Sequence, residues 1–304
     1  MSLDPDLARV VDAIPAWAGR AIDAEVLGGG ITNRNWRVDV AGEAFVVRLA
    51  GRDTDLLGID RDAERAATDA AHEAGVAPEV VAFLPELPAL VTRFVEAEPL
   101  PPEDLEDAST MTAVVRSIRA IHGMRAIPSR FDVFAIVREY RRTAETHGVT
   151  IPEAYGPAEA IADRIAASFA SRTVPERPCH DDLLNANFLR TPDRVVIVDY
   201  EYAGMGDPFF DLGNFSINNG ISEDAQERLL EAYFGRPTAA HRARHKLMRV
   251  MSDLREAMWG VVQQGISTLD FDYVDYAGRH FDRCLRSADD ARFGGWLDDA
   301  AGDR

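Results

Sequence analysis

Apolar and polar residues alternate between 33 and 40, with Trp36, Val38 and Val40 on one face. Phe45, Val47 and Leu49 repeat the pattern after Ala41-Gly42-Glu43, a turn-forming run, so the two segments form a hairpin. Side chains alternate along a strand, which turns Arg48 to the face opposite Phe45, Val47 and Leu49. Val26 and Leu27 end an earlier strand at Gly28-Gly29-Gly30. The period then changes. Ala63, Ala66, Ala67, Ala70, Ala71 and Ala74 recur at helical spacing over 61–74, after Asp60 as N-cap and before Gly75 and Pro78. Such small side chains predict close packing against a sheet, and Glu64 lies at the edge of their stripe. Strands near 79–83 and 89–94 follow.

A run rich in Pro and acid, 96–107, reads as a hinge and linker. Beyond it, helical periodicity near 109–123, 131–147, 157–171, 223–234, 241–264 and 271–286 predicts a second, mainly helical part. The fold class is α+β and bilobal, with a small antiparallel-sheet lobe over 1–96 and a larger lobe over 97–304.

Composition narrows the function. The 304 residues are 46% hydrophobic and 28% charged, as expected of a chain with a full core. A net charge of -18 argues against nucleic acid, which is bound through clustered Lys and Arg, and favours solubility and a cationic small molecule. Lys246 is the sole lysine among 33 basic residues, so a role that needs a cation falls mostly to arginine. Two cysteines, Cys179 and Cys284, are too few for a disulfide framework. Without a leader-like N-terminus or a long apolar run, the expected setting is cytoplasmic, with no membrane partner.

The chemistry concentrates in 179–213. There His180, Asp182 and Asn187 stand as H-x-D-x-x-x-x-N, and a short apolar strand over 195–198 delivers Asp199. Phosphoryl transfer needs alignment, neutralised phosphate charge and a group that orients the attacking hydroxyl. Asp182 suits the last task as a base. Asn187 and Asp199 offer the oxygen ligands that Mg²⁺ prefers. His180 corresponds in position to a structural histidine of such loops and is expected to brace the loop.

These segments resemble the choline/ethanolamine kinase family within the aminoglycoside phosphotransferase superfamily. The resemblance is carried by HDDLLNANFL, IVDYEYAGMGDPFFDLGN and WGVVQQGISTLDFDYVDYAGRHF, and extends from LGGGITNRNWRV to about Arg283. It implies a protein-kinase-like bilobal fold, ATP, Mg²⁺ and a small cationic amino alcohol as partner. On matching positions it makes Asp182 the base and Asn187 and Asp199 the metal ligands. Arg48 would hold the nucleotide phosphates, oriented by Glu64. Gly29, Gly30, Thr32 and Asn33 would cover the phosphates. Arg93, Phe94, Val95 and Glu96 would form the adenine hinge, and Asp211 would brace the catalytic loop. Position 48 departs from the lysine of protein kinases, and GGGITNRN departs from G-x-G-x-x-G.

The acceptor side is read from the C-terminal helices. Leu247, Met251, Leu254, Met258 and Val261 form a core stripe, flanked by Glu256, Trp259 and Gln263. Phe271 and Tyr276 follow. Aromatic faces with carboxylates suit an organic cation, and Glu201 adds negative charge. Relatives often carry a second tryptophan where this chain has Glu256. Other hydroxylated amines, such as an aminoglycoside or thiamine, and an inactive nucleotide-binding module are the alternatives.

Overall fold

Five antiparallel strands open the computed structural model, which describes residues 3–28, 33–51 and 54–302. They are β1 (Ile22–Leu27), β2 (Arg34–Val40), β3 (Glu43–Leu49), β4 (Val80–Leu84) and β5 (Ala89–Arg93), in the order β1-β2-β3-β5-β4. The register sets Trp36 beside Val47, Val38 beside Phe45, and Val47 beside Val91. These side chains join Leu7, Val10 and Trp17 in one apolar cluster. Arg48 lies between Asn35 and Leu90, on the other face, as strand alternation predicts.

Leu7 and Val10 come from α1 (Pro5–Ala13), which the hydrophobic pattern did not reveal. Its capping signal is present nonetheless. Asp4 accepts from the amides of Asp6 and Leu7, and Pro5 occupies the first turn. The expected alanine helix is α2 (Arg61–Glu73), capped by Asp60 through the amide of Ala63. Its Ala67, Ala70 and Ala71 belong to a different cluster from the one on the sheet. They are buried in the larger cluster, which runs on through the helical part, while α2 itself packs against β4, so the close packing against the sheet that the small side chains predict is present.

That part holds α3 (Ala108–Gly123), α4 (Val133–Thr146), α5 (Tyr155–Ser171), α7 (Glu223–Phe234), α8 (Ala239–Ile266) and α9 (Tyr273–Ala288). Each lies within two residues of its expected bounds. Two more were not foreseen, α6 (Pro208–Asn218) and α10 (Phe293–Ala301). The first starts on a strong local signal, with Asp207 accepting from the amide of Phe209 and Pro208 at the first position.

The central member is α8. It packs against α4, α6, α9 and α10 and is buried nearly all round between Ala243 and Gln263, beyond the single expected stripe. Its buried charges are paired, Arg244 with Asp207 (2.8 Å) and Asp253 with Arg283 (2.7 Å). Glycine permits two close helix crossings. A Cβ at Gly213 would lie 2.8 Å from the backbone of α8, and one at Gly260 2.9 Å from the Tyr276 ring of α9.

Short strands carry the motif run: β6 (Glu98–Pro99), β7 (Arg177–Cys179), β8 (Phe188–Arg190), β9 (Val195–Ile197) and β10 (Gly204–Gly206). They pair as β6-β8-β9 and β7-β10, so the 180–187 loop leaves β7 and Asp199 follows β9. Among the described residues, no helix is long and apolar enough to cross a membrane.

Candidate active site

His180 ties the loop to the strand end. Its Nε2 donates to the Val198 carbonyl (3.0 Å) while Nδ1 accepts from the Asp182 amide (3.2 Å), and the ring packs on Tyr200. Burial lowers its pKa, in keeping with a neutral ring that both donates and accepts. Asp211 of α6 holds the same loop from below. It accepts from the amides of His180 (2.9 Å) and Asp181 (2.7 Å) and from His122 (2.9 Å). Burial alone would raise its pKa, but the His122 hydrogen bond and nearby histidine charge hold it below the ordinary range. Asn214, one turn on, accepts from the Leu183 amide (2.7 Å).

Asp182 projects from this brace and lies 3.6 Å from Arg255. Burial raises its pKa, opposed by Arg255 and reinforced by Glu256, Asp199 and Glu201. Asn187 turns its Nδ2 to the Asp182 carbonyl (2.9 Å), which leaves Oδ1 for another partner. Asp199 stands at φ 70, a left-handed conformation that Asp tolerates better than most residues. Burial and the Glu201 charge raise its pKa.

Across the cleft, Arg48 pairs with both Glu64 of α2 and Asp199. Arg61 extends the set, reaching Glu64 (2.7 Å) and Glu201 (3.1 Å). Five carboxylates, Glu64, Asp182, Asp199, Glu201 and Glu256, thus face three guanidiniums, Arg48, Arg61 and Arg255. The surplus is negative, and a divalent cation fits it.

The acceptor candidates also meet. Tyr276 donates to Glu256 (2.7 Å), and Trp259 lies 5.5 Å from the Tyr276 ring. Phe271 is 5.9 Å from Tyr276, and Gln263 is buried one turn beyond Trp259. Two rings join them: Tyr273, 5.9 Å from Trp259, and Tyr202, whose hydroxyl accepts from the indole (3.1 Å). Arg255 links the two halves. Fully buried, it pairs with Glu256 (2.6 Å) as well as Asp182 and stacks on Tyr202 at 4.3 Å.

Several expected positions sit elsewhere. Gly29, Gly30 and Thr32 lie outside the described residues. Asn33 is described, and its side chain donates to Glu201 (3.0 Å). Glu201, read as an acceptor-side charge, is engaged by Asn33 and Arg61 on the phosphate side. Arg93 pairs in register with Phe45, so its side chain leaves the sheet on the face opposite Arg48, over Phe45 and against Glu79. The adenine contact expected of Arg93 would then fall to its backbone. Phe94 lies under Arg37 (4.5 Å), Glu96 pairs with Arg37 (3.7 Å), and Val95 between them is half-buried.

The sequence reading missed Arg61 and Arg255 because an Arg beside a Glu on a helix resembles an ordinary solvated pair. Tyr202 and Tyr273 were within reach, since each belongs to a segment already singled out.

The sequence profile of the phosphotransferase enzyme family matches residues 23–248. The chain belongs to that family. A solved structure of a choline/ethanolamine kinase family protein from Mesorhizobium loti is 32% identical, with 97% of this chain and 98% of that one covered and a TM-score of 0.85. Protein LicA of Haemophilus influenzae is 26% identical over 269 residues, 85% of this chain and 78% of the relative. Choline kinase LicA from Streptococcus pneumoniae shares the fold at 21% identity, with 92% and 98% covered and a TM-score of 0.80. The resemblance read from the motifs is borne out. The chain is a small-molecule kinase of the choline/ethanolamine kinase type, with the kinase-like α+β fold of this family.

Proposed function

We propose that the protein transfers the γ-phosphoryl group of ATP, with Mg²⁺, to the hydroxyl of choline or ethanolamine. The observation that carries this reading is Arg255, whose one guanidinium joins Asp182 to the Glu256–Tyr276–Trp259 group. Base and aromatic box are thereby held in fixed relation, which an in-line transfer to a small acceptor requires.

In this reading Asp182 accepts a hydrogen bond from the acceptor hydroxyl and takes its proton as the bond to phosphorus forms. Arg48, forked between Glu64 and Asp199, faces the phosphates from the sheet. The Asn187 Oδ1 and Asp199 carboxylate would hold the metal. Bound there, Mg²⁺ neutralises charge on the transferring phosphate. Arg61 with Asn33 and Glu201 positions the phosphate-side network. The division into a 1–96 nucleotide lobe and a 97–304 catalytic lobe belongs to the same proposal.

The acceptor cation would sit against Trp259, Tyr276 and Phe271, each ring contributing about 0.5–2 kcal/mol. One observation favours ethanolamine as a second reading. Glu256 accepts from Tyr276 and Arg255, yet a carboxylate has about four acceptor sites. A primary ammonium can donate to the remainder, whereas a trimethylammonium cannot. The test is Trp259→Ala, assayed with both amines. The expected outcome is a KM for the amine raised about tenfold or more with the KM for ATP nearly unchanged. Equal rises in both would remove the box from the acceptor site.

A further inference from the structure

A concentration of positive charge in this acidic chain lies outside the site just described. Where α8, α9 and the start of α10 meet α7, a cavity of about 260 Å³ is lined by Lys246, Arg249, Arg283, Arg286 and Arg292. Two lining carboxylates answer them, Glu223 and Asp290. Glu223 takes Lys246 (3.2 Å) and Arg292 (3.3 Å), Asp290 takes Arg292 (2.7 Å), and the buried Asp253 takes Arg283 (2.6 Å).

Two arginines remain over. Arg286 makes no ion pair among the described residues, and the Nε of Arg249 is buried without a hydrogen-bond partner among them. Asp253 and Glu223 act on Arg249 only through space. Leaving a guanidinium desolvated and short of partners is unfavourable. Burial lowers the pKa of both Lys246 and Arg249; the Arg249 charge adds to this at Lys246, while at Arg249 the Asp253 and Glu223 charges oppose it and those of Arg283 and Arg292 add to it. An anion in the cavity removes that deficit.

We propose that this cavity is a second, non-catalytic site that binds a small phosphate group through Arg249, Arg286 and Lys246, with Arg292 exchanging its carboxylates for it. Guanidinium forks match phosphate oxygens, and cations converging from several helices suit a tetrahedral oxyanion better than a planar carboxylate. A cavity of this size admits inorganic phosphate or a small phosphomonoester. The site lies apart from the catalytic residues and does not depend on the acceptor assigned above.

Calorimetric titration of the metal-free protein with inorganic phosphate, and separately with glycerol phosphate, tests it. Arg286→Gln, an exposed change, and Arg249→Gln should each weaken binding at least about tenfold. Asp290→Asn should tighten it by freeing Arg292, and Arg48→Ala, in the catalytic cleft, should leave it unchanged. Equal affinities for the two probes identify the free ion as the ligand, and tighter binding of the ester identifies the ester. The proposal is overturned by absence of binding, by wild-type affinity in a folded Arg286→Gln protein, or by loss of all binding in Arg48→Ala. That last result would place the phosphate in the catalytic cleft.

Discussion

Asp182 carries two demands that oppose each other. As the proposed base it must ionise, while its own burial and its surroundings of Glu256, Asp199 and Glu201 favour the neutral acid. Arg255 is the compensating charge. The folded-state pKa therefore lies above the unfolded value, so the folded state binds more protons, and stability falls as pH rises from the ordinary carboxylate range toward neutrality and beyond. Asp182→Asn removes the conflict. Its melting temperature at pH 7–8 should exceed that of the wild type, with the gap closing near pH 4, and a variant less stable at neutral pH would refute the assignment. Much of this residue scale was legible. The order His180, Asp182, Asn187, Asp199 identified the loop from spacing alone. The raised pKa was not legible, because Arg255, Glu256 and Glu201 reach Asp182 only through tertiary packing.

At the scale of elements, α8 does the most. It carries Arg255, Glu256 and Trp259 on adjacent turns, and its crossing with α9 brings Tyr276 to Glu256. That crossing depends on Gly260, where an added Cβ would meet Tyr276 at 2.9 Å and the Ala277 Cβ at 3.2 Å. Gly260→Ala should push α9 outward and raise the amine KM by roughly tenfold, with the ATP KM little changed. Steady-state kinetics with each substrate varied in turn checks it, and an unaltered amine KM would contradict it. Helices with an apolar stripe were legible to within two residues. The all-round burial of α8 was not, because nothing in the sequence shows that Arg244, Asp253 and Arg255 find their partners in Asp207, Arg283 and Asp182. Both α1 and α6 were missed although Asp-Pro marks the start of each. Their capping signal is local, and periodicity over so short a span is weak.

For the whole molecule, a net charge of -18 sets the field in which a cation approaches. The carboxylate surplus at the site adds to it. The kcat/KM for the amine should fall as sodium chloride is raised, because screening weakens the attraction. A value independent of salt would assign the charge to solubility alone. The arrangement of two apolar clusters, one on the sheet and one through the helices, leaves Arg48 and Asp182 on facing surfaces of one cleft. Phosphate-side and acceptor-side groups meet there and nowhere else in the proposal. The most direct measurement is ³¹P NMR of the protein incubated with ATP, Mg²⁺ and choline or ethanolamine, beside Asp182→Asn. The account predicts growth of a phosphomonoester signal of the amine as ATP becomes ADP, slowed by about 10²–10⁴-fold in the variant. ATP consumed without that signal, or an equal rate in Asp182→Asn, would contradict it.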